Sequence, residues 1–322
     1  MKESVCIILC TVLVLSLFCG CGEAPTADTD GKLSVVATIF PVYDWTKNIL
    51  GTSSSAEVTM LLDSGVDLHS FQPNADDIIK ISTCDVFIYV GGESDGWVDD
   101  ALKEAVNEDM IVVDLMDVLG DAAVEEEEKE GMEDHDHYDH DNEIEYDEHI
   151  WLSVRNAELL CSAIADALCS ADSANADTYL TNLAAYNEKL LALEVGFSDA
   201  ASSAECGTLL FCDRFPFRYL LEDYGIDYYA AFSGCSAETE ASFETVSFLA
   251  SKADELGLEH IIILEGSDGK IASTVSAASV SGGHEILTMD SMQSTTGRDA
   301  ADGASYISAM EKNLETFRKA LS

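Results

Sequence analysis

The chain has 322 residues, 61 acidic and 16 basic, for a net charge of −45 at pH 7. A surface this negative repels nucleic-acid phosphates and anionic headgroups and concentrates cations, which excludes a nucleic-acid partner. With 47% apolar residues the chain can still bury a sizeable core, as one large or two moderate domains.

Residues 1–21 read as a targeting segment. Lys2 supplies a weak positive start, and the apolar stretch Val5 to Phe18 is too short to span a bilayer as a helix. Its end, Phe18-Cys19-Gly20-Cys21-Gly22, resembles a bacterial lipoprotein signal, in which a small residue precedes the lipidated cysteine. That resemblance implies lipidation at Cys21 and a membrane-anchored, extracytoplasmic protein. Residues 22–32 form a polar tether. Ten cysteines occur in all; Cys6, Cys10, Cys19 and Cys21 belong to the targeting segment, leaving Cys84, Cys161, Cys169, Cys206, Cys212 and Cys235. No CxxC pair falls among these six, so a cysteine-only zinc site is not indicated.

From Leu33 strands and helices alternate. Leu33–Thr38, Val58–Leu62, Val86–Val90 and Ile111–Val113 are β-branched or apolar runs of strand length. Between them Pro41 opens a helix stopped by Gly51, Pro73-Asn74 opens a second, and Trp97–Val106 reads as a third. From Asn156 to Ala200 the period is helical almost throughout, with a break near Ser170–Ser173, where Asp172 or Ser173 could cap the second helix. That second helix runs about 25 residues, roughly 40 Å, and suits a rigid connector. Alternation then resumes: strands at Thr208–Phe211, Tyr228–Phe232, His260–Leu264 and Glu285–Leu287, with helices at Phe217–Tyr224, Phe243–Leu256, Lys270–Ala278 and Ser305–Leu321. The expected fold is α/β: two parallel-sheet lobes, residues 33–172 and 204–322, joined by a long rigid backbone helix at 173–203, with a metal cleft between the lobes.

The segment 121–148 breaks this rhythm. About every second residue is Asp or Glu, and His135, His137 and His140 sit within it. It is too charged to bury and too long for an ordinary connection, so a solvated, mobile loop is expected. Imidazoles among carboxylates favour transition metals, and the imidazoles move the preference toward zinc. The run ends on Asp147-Glu148-His149-Ile150-Trp151-Leu152-Ser153, one histidine at the edge of packed structure.

Ligands of open α/β sheets sit beyond the carboxyl ends of the strands. Four places qualify: His69 after the second strand, His149 where the acidic loop re-enters the fold, Cys212-Asp213-Arg214 after Thr208–Phe211, and Glu265 after His260–Leu264. Each has a plain structural alternative. His69 could be a surface histidine, Asp213 an ion-pair partner of Arg214, Glu265 a helix cap, and Cys212 an inert buried thiol.

The pieces Ala37-Thr38-Ile39-Phe40-Pro41-Val42-Tyr43-Asp44-Trp45, His69-Ser70-Phe71-Gln72-Pro73, Asp85-Val86-Phe87-Ile88-Tyr89-Val90-Gly91, the His-rich acidic insertion and His149-Ile150-Trp151-Leu152-Ser153 occur in this order. Together they resemble the metal-binding lipoproteins of zinc and manganese ABC importers, the ZnuA/TroA-like solute-binding proteins. The resemblance implies one ion in the cleft, bound by His69, His149, Asp213 and Glu265. Cys212 is the alternative third ligand, because many zinc members carry His-Asp where this chain has Phe211-Cys212-Asp213-Arg214. Glu148 stands where a proline is common. The implied cargo is Zn2+, with Mn2+ the alternative, and the implied partner is an ABC transporter permease, served by a monomer rather than by an enzyme. An adhesin on the same scaffold and a zinc hydrolase built on His69 and His149 are the rival readings.

Overall fold

Two parallel four-stranded sheets carry the fold, each flanked by helices. The structure, a computed structural model, describes residues 32–52, 56–132, 145–236 and 240–322; Cys21, His135, His137 and His140 lie outside them. The first sheet contains β1 (Leu33–Ala37), β2 (Ala56–Met60), β3 (Val86–Tyr89) and β4 (Ile111–Asp114), in the order β2-β1-β3-β4. Its helices are α1 (Phe40–Leu50), α2 (Ala75–Thr83), α3 (Val98–Lys103) and α4 (Leu115–Leu119). Two further helices, α5 (Val154–Ala171) and α6 (Ala176–Ser202), lead to the second sheet. That sheet holds β5 (Thr208–Phe215), β6 (Asp227–Ser233), β7 (His260–Leu264) and β8 (Glu285–Met289), in the order β6-β5-β7-β8, with α7 (Arg218–Tyr224), α8 (Phe243–Leu256) and α9 (Lys270–Ala278). α10 (Gly297–Ala301) and α11 (Tyr306–Ala320) close the chain. Both sheets therefore share one order and one switch point, beside their first strands, where side chains past the strand ends converge.

Local chemistry sets the helix ends. Pro41 lies in the first turn of α1, and Gly51 ends it at φ 67°. Asn74 and Asp77 form a capping box on α2. Ser153 caps α5 by accepting from the Asn156 N–H, and Ser242 caps α8 through Thr245. The α6 start differs from expectation. Asp172 closes α5, and its carboxylate accepts from Asn175 Nδ2 and Tyr179 Oη at 2.7 Å each; Asn175 precedes α6 with no side-chain cap. α3 stops at Lys103, short of the expected Val106, because the N–H groups of Val106 and Asn107 both donate to Ser82 O.

α6, at 27 residues, is about 40 Å long by helix rise. It packs on α1, α5 and α11. One hydrophobic core runs from the first sheet (Val35, Phe87, Ile88) through Trp45, Trp151, Leu160 and Phe197 to Phe211, Ile262 and Phe317 of the second sheet and α11. A smaller core lies on the other face of the second sheet, between it and α8–α9. Residues 32–322 form a single compact unit, as a shared core of this extent requires. Among the described residues, no helix is long and apolar enough to cross a membrane.

The described ends of the acidic segment depart from the expected solvated loop. Glu125 bridges Tyr146 in antiparallel register, and Glu126 N–H donates to Glu145 O. Arg218 Nη1 donates to Glu127 Oε2 at 3.1 Å, Lys129 pairs with Asp227, and Asp147 and Glu148 are buried. The charge is tolerated because Glu127, Asp147 and Glu148 each meet a donor, from Arg218, His149 and Ser94 respectively.

Candidate metal centre

His69 sits in a one-turn 3₁₀ segment after β2. Leu68 is buried and anchors the turn, and Asp67 Oδ1 accepts the His69 N–H at 3.0 Å. Its side chain is 12% exposed. The Nδ1 edge lies 2.8 Å from Ser94 Oγ and 3.5 Å from Glu148 Oε2. Ser94 is itself fixed: its N–H donates to Glu148 Oε1 at 2.8 Å, in the turn where Gly91 and Gly92 adopt φ 91° and 82°. A Cβ on Gly92 would stand 2.5 Å from Glu148 Oε1, so only glycine leaves room for that carboxylate.

His149 follows the acidic segment and is fully buried. Asp147 Oδ1 accepts both the His149 N–H at 2.8 Å and its ring Nδ1 at 3.0 Å. The following Ile150-Trp151-Leu152 turn is buried, with Trp151 Nε1 donating to Ser291 O at 2.9 Å and Tyr306 Oη donating to Trp151 O at 2.8 Å. His149 is thereby locked between the loop after β8 and the start of α11.

The two rings point at each other. Nε2 of His69 lies 3.1 Å from Nε2 of His149. Each Nδ1 is held by an oxygen, so each Nε2 is the nitrogen free to ligate, the arrangement metal-binding imidazoles adopt. Two nitrogens sharing a tetrahedral zinc at 2.0–2.1 Å stand about 3.3 Å apart, close to the spacing observed. The electrostatics are asymmetric. Burial, then the neighbouring His149, pushes His69 down to about 4. Burial alone would depress His149 as well, but the charge and hydrogen bond of Asp147 outweigh it and hold His149 above the ordinary histidine value. The two imidazoles therefore lean in opposite directions, His69 toward its neutral form and His149 toward its protonated form. Burial also raises the Glu148 carboxyl and pushes the nearby Asp95 up to about 7.

Among the described residues, the group whose ligand atoms all lie within 4.8 Å of one another is His69, His149 and Cys235. Asp213, Glu265 and Cys212 are not in it. β5 continues past Phe211 to Phe215, with a register shift between Phe211 and Arg214 against β6. Cys212 falls on the face of Leu210 and is buried in the smaller core with Val246 and Leu249. Burial, then the Asp213 charge, raises its thiol well above the ordinary range. Asp213 turns the other way: its Oδ1 accepts the Arg214 N–H at 3.0 Å and its Oδ2 the Leu264 N–H at 3.4 Å. Glu265 is held by the N–H and Oγ of Ser291 at 2.8 and 2.6 Å, and burial raises its carboxyl. Asp213 and Glu265 both line a cleft of about 870 Å³, together with Asp67 and Arg214. Arg214 Nη2 donates to Asp67 Oδ2 at 2.7 Å, linking the loop after β2 to β5. Cys235, just past β6, is the residue that sequence reasoning missed. The strand-end rule that picked out His69 and Glu265 points to it equally.

Known proteins resemble the chain in sequence and in fold. The chain is 32% identical over 294 residues to the zinc-binding lipoprotein AdcA of Streptococcus pneumoniae, covering 90% of this chain and 56% of that one. It thus spans a little over half the length of that relative. It is 28% identical over 315 residues to the high-affinity zinc uptake system protein ZnuA of Bacillus subtilis, covering 95% and 94% of the two chains. The crystal structure of the Zn(II)-bound ZnuA-like domain of S. pneumoniae AdcA superposes with a TM-score of 0.71 at 28% identity, covering 90% of this chain and 99% of that one. The family model "Zinc-uptake complex component A periplasmic" (ZnuA) matches residues 35–320, and the chain belongs to that family.

Proposed function

We propose that this protein captures a single divalent transition metal, zinc foremost, outside the cytoplasm and hands it to the permease of an ABC importer. The observation that carries the reading is the facing Nε2 pair of His69 and His149 at 3.1 Å, each ring backed on Nδ1 by an oxygen. Support comes from two relatives, a zinc-binding lipoprotein and a zinc uptake protein. The work is binding and release, with no bond of a substrate broken.

Asp213 and Glu265 belong to this reading as negative charge on the cleft wall. Both carboxylates already accept hydrogen bonds, Asp213 from Arg214 and Leu264 and Glu265 from Ser291, and these bonds orient them on that wall. Lipidation at Cys21 tethers the protein to the membrane, and His135, His137 and His140 collect ions and pass them to the cleft. Deleting residues 133–144 tests the collector and leaves the Glu125–Tyr146 bridge in place. Uptake at scarce zinc should fall while the affinity of the cleft is retained; unchanged uptake would remove the collector from the account.

The experiment for the function is metal analysis of purified, dialysed protein lacking residues 133–144, with zinc and manganese in competition. One zinc per chain, lost in His69→Ala and in His149→Ala, is expected. Zinc bound equally by the wild type and both variants would overturn the function.

A further inference from the structure

Gly234 brings the chain against His149. A Cβ at Gly234 would lie 2.9 Å from Phe215 O and 3.0 Å from His149 Cε1, so the backbone can pass this close to the ring only as glycine. The residue delivered next is Cys235. Its N–H donates to Glu126 Oε1 at 3.1 Å, and Arg214 Nη1 reaches Ser236 O at 3.5 Å. The loop is thus pinned from the acidic insertion on one side and from β5 on the other. Cys235 is a member of neither hydrophobic core, unlike Cys84, Cys161 and Cys212. Its sulfur shares the 4.8 Å cluster with the two ligating imidazoles.

We propose that Cys235 is the third protein ligand of the ion, as a thiolate, and that this His₂Cys set makes the centre selective for zinc over manganese. The proposal rests on the reading of His69 and His149 as the metal site. A tetrahedral zinc with Zn–N near 2.05 Å and Zn–S near 2.3 Å places nitrogen and sulfur about 3.6 Å apart. Rotation about the Cα–Cβ bond of Cys235 is the natural adjustment from the present cluster. On ligation the S–H bond breaks, the sulfur keeps the electron pair and donates it to the metal, and the proton leaves to solvent. No redox step is involved. A thiolate is a soft donor that favours zinc, whereas manganese prefers carboxylate and water oxygens. Exchanging a carboxylate for this sulfur therefore costs manganese far more than zinc.

Two readouts test it on the full chain. Cobalt(II) loaded into the wild type should show intense thiolate-to-cobalt charge-transfer absorption in the near ultraviolet. The band should vanish in Cys235→Ser and persist in Cys212→Ala. Zinc affinity, by chelator competition, should fall about tenfold or more in Cys235→Ser while manganese affinity changes by less than about threefold. Cys235→Asp should raise manganese affinity relative to zinc. Thermal melts of the metal-free variants check folding, and the Asp variant gives a gain that misfolding cannot mimic. If cobalt binds the wild type without the charge-transfer band, and zinc affinity survives in Cys235→Ser but not in His69→Ala, the thiolate is overturned and the histidine site stands. If the wild type binds no metal, both fall together.

Discussion

Replacing Asp147 by asparagine removes one negative charge from behind His149 and changes little else. The side-chain volume is conserved, the amide oxygen can still accept the His149 N–H now bound at 2.8 Å, and the Asp147 carbonyl keeps its hydrogen bond from Tyr219 Oη at 2.7 Å. What is lost is the carboxylate 3.0 Å from His149 Nδ1. Removing such a partner from a metal-bound imidazole typically weakens metal binding 10- to 100-fold, about 1.4–2.7 kcal/mol. The pH dependence makes the test specific. In the wild type His149 is held above its ordinary 6.5, so below that raised value zinc must displace a proton, and apparent affinity declines as pH falls. Without Asp147 the value drops, and the bend in the affinity–pH curve moves to lower pH. The deficit of Asp147→Asn should therefore be largest at alkaline pH and narrow on acidification. Zinc titrations against a competing chelator from pH 5.5 to 8.5 measure this. A variant within threefold of wild type at every pH, with the bend unmoved, would refute the role given to Asp147.

Folding stability also depends on pH through these buried groups. A protonated His149 stabilises the metal-free protein below 6.5, and that contribution is lost as pH rises through its raised folded value. Asp95, pushed from 3.8 to about 7 mainly by burial, stabilises while protonated and loses that contribution as pH rises toward 7. Asp95→Asn keeps an oxygen for the N–H groups of Val90 and Gly91, so its melting temperature should gain on the wild type between pH 4.5 and 7.5; a pH-independent gap would contradict this. Trp151→Phe strips the donor from Ser291 O and should cost about 1–3 kcal/mol in denaturant unfolding; a loss under 0.5 kcal/mol, roughly the scatter of neutral surface substitutions, would show the bond to be incidental. Gly234→Ala forces a methyl against His149 Cε1 and should weaken zinc binding although no ligand is altered, with unchanged affinity as the adverse result.

Much of the architecture was legible from pattern. α8, β7 and α9 begin and end where the sequence predicts, because Ser242 and Gly257 mark the ends of α8 and His260–Leu264 is a clean apolar run. His69 and His149 were identified from chemistry and resemblance, and the structure brings them together. What escaped depended on distant partners. The burial of Glu148 needs Ser94, 54 residues earlier, and no local pattern reveals that. The extension of β5 to Phe215 depends on its bulged pairing with β6. Two features were readable but unread. Strand alternation already puts Cys212 on the face of Leu210, inside the second lobe, and Cys235 follows a strand end as plainly as Glu265 does.

The most direct measurement is a crystal structure of the zinc-loaded protein with anomalous data collected on either side of the zinc edge. The account predicts one strong peak within about 2.1 Å of Nε2 of both His69 and His149. Zinc found only along the acidic insertion or on the cleft carboxylates, with the two imidazoles unliganded, would contradict it.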